Sequence, residues 1–203
     1  MAAKEIVIAS LNTHKVYEIR ECLKLLAPSL QVLSLFDFPK FLPNDFKHES
    51  FEENAKAKAL YAAQVLQKPC IADDSGIVIP AFGKVGASLT RRYDSAASPV
   101  AETKKLLQEM QAFKDLERQA YLECSLALAT PQKLILHTTQ RVEGIITEEE
   151  KGKITFEFDT VFMKHDYSKT LGELPESVRL RISHRRKALE KLIPSLERLA
   201  LRS

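Results

Sequence analysis

The chain has 203 residues, 45% of them hydrophobic and 28% charged, which is enough apolar material to bury a full core in a single domain. Its 30 basic and 27 acidic residues leave a net charge of only +3, so no large single-sign field is expected and duplex nucleic acid is not the default partner. The first apolar run, Ile6 to Ala9, is far shorter than a signal-peptide core or a membrane span, so the expected setting is the cytoplasm, without a membrane partner.

Ile6 to Ala9 is a continuous apolar run of the kind a strand buried on both faces carries. A helix follows: Asn12 suits an N-cap, and Val16, Ile19, Leu23 and Leu26 recur at helical spacing until Pro28 stops the pattern. Gln31 to Leu35 reads as a second strand, and Phe36 to Glu49, with Pro39 and Pro43, as a connecting loop. Ser50-Phe51-Glu52-Glu53 fits a capping box opening an alanine-rich helix that runs to about Gln67. Cys70-Ile71-Ala72 is a short strand that runs directly into Asp73-Asp74-Ser75-Gly76, and Ile77 to Ile79 could extend the pairing beyond that turn. A long loop, 81–99, holds Arg91-Arg92-Tyr93, and Val100 to Phe113 is helical. Gln119 to Ala129 and Lys133 to Gly144 read as a long hairpin joined at Thr130-Pro131-Gln132, a possible second lobe or dimer element within one domain spanning 1–203. Thr160 to Met163 is a further strand, and Ser183 to Leu192 a basic helix that Pro194 ends or kinks. Cys22, Cys70 and Cys124 each lie in apolar stretches without zinc-ligand spacing and read as reduced core thiols.

Phosphate-binding glycine loops are absent, so any phosphate must be held otherwise. Open α/β sheets bind ligands at the carboxyl ends of their strands, which is where Asp73 and Asp74 fall. Alternation along a strand lets only one of the two face the site, and a carboxylate there can bind magnesium or take a proton from water. A plain Asp-Ser-Gly turn explains the same residues equally well. Lys15 sits in the first turn of its helix, where free backbone donors favour an anion, and Asn54 and Lys58 share a helix face. Phe156 and Asp159 could stack on a base and bond its edge, and Arg185, beside His184, could clamp an anion.

Taken in order, five segments resemble the inosine triphosphate pyrophosphatase family, and the likeness runs nearly end to end. They are Ser10-Leu11-Asn12-Thr13-His14-Lys15, Ser50-Phe51-Glu52-Glu53-Asn54-Ala55 with Lys58, Ala72-Asp73-Asp74-Ser75-Gly76, Phe156-Glu157-Phe158-Asp159, and Ile182-Ser183-His184-Arg185. The resemblance implies an elongated α/β protein with a mixed sheet flanked by helices, two lobes with a central cleft, a homodimer, and Mg2+ as cofactor. The implied reaction is hydrolysis of a non-canonical purine nucleoside triphosphate to the monophosphate and pyrophosphate. By position in the motifs, Asp74 would be proton acceptor and metal ligand, with Asp45 as the second metal carboxylate or, with a shift of register, Glu49. Asn12, Lys15 and Lys58 would hold phosphates, Phe156 would stack on the base, and Asp159, His184 and Arg185 would position or read it. Ser75 would lie beside the substrate, and Ser10, Phe158 and Arg179 would be further substrate contacts. Leu11 and Glu157 stand where the family usually has glycine, and Arg179 replaces a lysine, so an altered base choice or a binding homologue with reduced catalysis are the alternatives.

Overall fold

A computed structural model describes residues 4–83, 90–92, 99–154, 156 and 158–202. The described residues form, in chain order, seven strands and six helices: β1 (Lys4–Ile8), α1 (Thr13–Leu26), β2 (Leu30–Ser34), α2 (Phe51–Leu66), β3 (Cys70–Val78), α3 (Pro80–Gly83), β4 (Thr90–Arg92), α4 (Pro99–Glu109), β5 (Gln119–Ala129), β6 (Leu134–Ile146), β7 (Phe162–Lys164), α5 (Glu176–Ile182) and α6 (His184–Arg202). The strands hydrogen-bond in the order β2-β1-β3-β5-β6-β7, with β4 on β3, which is a mixed α/β sheet.

Two compact units share the chain. One holds residues 1–74, 124–140 and 184–203, the other 75–123 and 141–183. The tip of the β5–β6 hairpin thus belongs to the first unit and its base to the second. Its turn closes with backbone bonds from Thr130 N to Lys133 O at 2.9 Å and from Lys133 N to Thr130 O at 3.2 Å.

In the first unit β1 lies parallel to β2, in register from Lys4↔Leu30 to Ile8↔Ser34, and parallel to β3 through Val7↔Cys70 and Ile8↔Ile71. Between α2 and the strands the core is made mostly of small side chains. Ala55, Ala59, Ala62 and Ala63 recur on one face of α2 and pack with Val7, Ala9, Cys70, Ala72, Ala127 and Ala129. Such a face lets helix backbone come close to the strands, which brings α2 side chains within reach of the end of β3. α1 buries Val16, Ile19, Cys22 and Leu23, and it packs on α6. α6 continues through Pro194, where the sequence suggested a stop or kink, and buries Leu196 beyond it.

The second unit is built on larger side chains, among them Ile77, Phe82, Leu106, Met110, Phe158, Val161 and Phe162. Within it the far half of β3 pairs antiparallel with β4, Gly76↔Arg92 to Val78↔Thr90, and β6 pairs with β7. β3 is therefore one nine-residue strand, buried along its whole length, and not a three-residue strand ending in a turn. The expected turn at Asp73 to Gly76 is corrected: the polar residues stay in the strand because each carboxylate meets a cation, and because Gly76 and the residues after it pair with β4. Of the expected 81–99 loop, 84–89 and 93–98 lie outside the described residues.

Candidate functional site

Asp73 and Asp74 follow one another in β3, so their side chains leave opposite faces of the strand. The partners given next for these two carboxylates belong to the first unit.

On the first face, Asp73 Oδ2 pairs with Lys15 Nζ at 2.9 Å and with Arg185 Nε at 3.5 Å. Arg185 also donates through a terminal nitrogen to Glu18 Oε2 at 2.8 Å. The Asp73 and Arg185 side chains are each only 1% exposed and that of Lys15 is 12% exposed, so this is a buried network of two cations and two carboxylates. Burial alone would push the Asp73 carboxyl up. Lys15, Arg185 and Lys58 overcome that and hold it well below the usual carboxylate range. His184, at the start of α6, is buried, and burial together with the nearby Arg185 cation pushes its pKa well down, so the ring is neutral. Its Nε2 has no hydrogen-bond partner among the described residues. A neutral imidazole with one nitrogen unsatisfied is suited to a ligand that brings its own donor or acceptor.

On the second face, Asp74 Oδ1 accepts from Lys58 Nζ at 2.9 Å and Oδ2 from Asn54 Nδ2 at 3.0 Å. Both donors come from α2, four residues apart on one face, and the side chain of Lys58 is 32% exposed. α2 is capped by Ser50, whose Oγ accepts from Glu53 N at 3.1 Å. The Glu53 carboxylate accepts from the Ser50 hydroxyl at 3.2 Å, a variation on the expected capping box. Ser75, buried next to Asp74 in β3, is the first residue of the second unit.

The turn before α1 is organised by its own side chains. Asn12 Oδ1 accepts from His14 N and Lys15 N, both at 3.1 Å, and Asn12 N donates to Ser10 Oγ at 3.2 Å. Asn12 thus caps the helix that carries Lys15, while Leu11 projects outward, about half exposed.

In the second unit Phe156 and Asp159 close a tight turn. Phe156 N donates to Asp159 Oδ2 at 3.1 Å and Asp159 N to Phe156 O at 3.0 Å. Backbone crossing at two glycines supports that turn. Gly172 N donates to Asp159 O at 2.7 Å, and Gly152, at φ +83°, lies so close to Gly172 that a Cβ there would meet its carbonyl carbon at 2.2 Å. Phe158 is corrected from the expected base contact to a core residue, 1% exposed among Met110, Val161 and Phe162. Glu157 lies outside the described residues. Arg179, half-buried on α5, donates to Leu174 O at 3.4 Å. The clamp expected of Arg185 is also revised, since its guanidinium is engaged by Glu18 and Asp73. Glu18 was missed from the sequence; its only signal there is a place one helical turn after Lys15.

Asp45, the expected second metal carboxylate, is largely exposed and pairs with Lys47 at 2.9 Å. Among the described residues no group of three or more His, Cys, Asp or Glu could hold an ion unaided. Mg2+ commonly binds through one or two carboxylates and completes its shell with phosphate oxygens and water. A single hard carboxylate, Asp74, next to the lysine cation that phosphate would seek, fits that mode of binding. No helix of the described residues is long and apolar enough to cross a membrane.

The sequence profile of the Ham1 family matches residues 6–195. The chain is 42% identical over 197 residues to a dITP/XTP pyrophosphatase of Protochlamydia amoebophila, covering 96% of this chain and 98% of that one. It is 40% identical to a dITP/XTP pyrophosphatase of Chlamydia abortus, covering 96% and 95%. Among solved structures it is similar to a HAM1 protein from Coxiella burnetii, with TM-score 0.81, 30% identity, and coverage of 96% and 99%. It is also similar to the Staphylococcus aureus Ham1 protein, with TM-score 0.78, 30% identity, and coverage of 96% and 98%. With a profile match over most of its length and relatives near 40% identity along nearly the whole of both chains, this chain belongs to the Ham1 family.

Proposed function

We propose that the chain is a nucleoside triphosphate pyrophosphohydrolase that cleaves the triphosphates of inosine, deoxyinosine and xanthosine to the monophosphate and pyrophosphate, clearing non-canonical purines from the nucleotide pool. The observation that carries the reading is the Lys58–Asp74 pair, a carboxylate and a partly exposed phosphate-seeking cation in contact at 2.9 Å, in a chain whose near full-length relatives are named dITP/XTP pyrophosphatases.

In this reading Lys58 and Lys15 hold the triphosphate, assisted by the positive end of the α1 dipole, where Ser10 and Asn12 set the turn. Asp74 accepts the proton of the attacking water. The water oxygen bonds to the α-phosphorus, the bond from that phosphorus to the α,β-bridging oxygen breaks, and pyrophosphate leaves with the electron pair. Asp74 would also hold Mg2+, which when bound neutralises phosphate charge. Asp45 or Glu49 remains the proposed second carboxylate, and Ser75 lies beside the substrate. For the base we assign Phe156 to stacking, Asp159 to positioning that turn, Arg179 to a further substrate contact, and His184 to reading the base edge, with Arg185, held by Glu18 and Asp73, positioning it. Hypoxanthine and xanthine carry an acceptor at position 6 where adenine carries a donor, so a site of donors leaves a buried group unpaired against adenine. A homodimer in the cytoplasm, without a nucleic acid polymer as partner, completes the proposal.

A panel of nucleoside triphosphates incubated with Mg2+, with pyrophosphate and orthophosphate measured separately, tests it. The expected result is pyrophosphate from inosine, deoxyinosine and xanthosine triphosphates well above that from ATP. Orthophosphate as the product, or ATP turned over equally, would refute it. Leu11, about half exposed at the family's usual glycine, favours a second reading, a pyrophosphatase of different base choice. Preferential turnover of a modified pyrimidine in the same panel would establish that reading.

A further inference from the structure

Asn54 is 2% exposed, and its whole amide is engaged. Its Oδ1 accepts from His48 N at 2.9 Å, and its Nδ2 donates both to His48 O at 3.1 Å and to Asp74 Oδ2 at 3.0 Å. This orientation is the one that chemistry allows. Rotating the amide by half a turn would set NH2 against the His48 N–H and an oxygen against both a carbonyl and a carboxylate. His48 is itself held. Its ring stacks on Phe46 at 6.1 Å, Phe46 and Phe41 meet Tyr61 edge-on at 5.8 and 5.7 Å, and the Tyr61 hydroxyl donates to Leu42 O at 2.9 Å. Tyr61 and Asn54 are both on α2, so that helix fixes the loop before it at two points and passes the result to Asp74.

The two donors on Asp74 differ in freedom. Lys58 is a flexible, partly exposed ammonium that a phosphate can draw away, whereas Asn54 is a short side chain locked by main chain. We infer that Asn54 is a positioning residue that holds the Oδ2 edge of Asp74, in register with the main chain of His48, while Lys58 turns to the phosphate. The inference rests on the proposed role of Asp74 as proton acceptor. Asn54 needs no contact with substrate; it fixes the direction from which the carboxylate approaches water.

The experiment is steady-state hydrolysis of deoxyinosine triphosphate with Mg2+ by full-length Asn54→Ala and, as a smaller perturbation should that variant fold poorly, Asn54→Ser. Each is made in the wild-type and the Asp74→Asn backgrounds, with thermal melts alongside. The expected result is a kcat about 10–100-fold lower with KM held within about threefold, as loss of orientation without loss of binding requires. In the Asp74→Asn background, removing the amide should cost nothing further, because a residue acting through another loses its effect when that other is gone. A near-wild-type kcat for both Asn54 variants beside an inactive Asp74→Asn would overturn the inference and leave the functional reading standing. Losses that multiply in the double variant would also overturn it, since Asn54 would then act independently. Wild-type turnover by Asp74→Asn would instead remove the proposed role of Asp74 as proton acceptor, and the inference with it.

Discussion

The two faces of β3 carry the same residue type in adjacent positions and make opposite use of it. Asp73 is closed in by Lys15 and Arg185, both cations are themselves well buried, and Glu18 completes the neutralisation. Asp74 instead meets the flexible, partly exposed Lys58 ammonium and the fixed Asn54 amide. Buried paired charges are costly to disturb and contribute structure, whereas a carboxylate whose cation can leave is available for chemistry. A pair of aspartates in sequence is therefore one structural group and one reactive group, separated by the strand's alternation.

Variants can break that comparison. The largest expected effect is on turnover: Asp74→Asn should lower kcat by about 10^2–10^4-fold, the usual range for loss of a general base, with the fold intact. Asp73→Asn should act on stability. Removing one member of a buried ion network leaves the others uncompensated and costs about 3–5 kcal/mol, measurable by urea unfolding. The lysines should divide in the same way. Lys58→Met should raise KM for the triphosphate roughly 10-fold, the scale of one charge-assisted hydrogen bond, with little change in melting temperature. Lys15→Met should raise KM similarly and also lower the melting temperature, because it strands Asp73.

Acid should separate the groups further. His184 has its pKa depressed in the fold, so the unfolded chain takes up a proton first, and stability should decline as pH falls below about 6.5. Asp73 is likewise depressed. Its contribution is full above about pH 4 and is lost as pH falls below that, towards its folded value. Denaturation at stepped pH should therefore show the upper part of the slope reduced in His184→Gln and the lower part reduced in Asp73→Asn. The smallest effect is at the α1 cap, where Asn12→Ala should cost about 1 kcal/mol.

Local signals were readable in the sequence because they are complete within a few residues. The Asn12 and Ser50 caps, the alanine face of α2 and the hairpin at Thr130 all appear where short-range chemistry puts them. Long-range compensation was not readable. Asp73 to Gly76 has the composition of a turn, and it stays in a strand only because cations arrive from distant segments; Arg185 lies 112 positions from Asp73 and 167 from Glu18. Phe158 shares a motif with Phe156, yet its ring fills the core among residues distant in sequence such as Met110, while Phe156 is only partly buried. Pro194 removes one helix bond, and α6 continues because Ser195 and Leu196 beyond it are buried. The motifs identified the residues, and tertiary partners decided which of them are structural.

The most direct test is to measure Asp73→Asn and Asp74→Asn side by side for pyrophosphate release from deoxyinosine triphosphate and for unfolding free energy, at a temperature where both are folded. We expect Asp74→Asn to lose turnover while keeping near-wild-type stability, and Asp73→Asn to lose stability while the molecules that remain folded keep substantial turnover. Unchanged turnover in Asp74→Asn, or an equal loss of both properties in both variants, would contradict the division of labour between the two faces of β3.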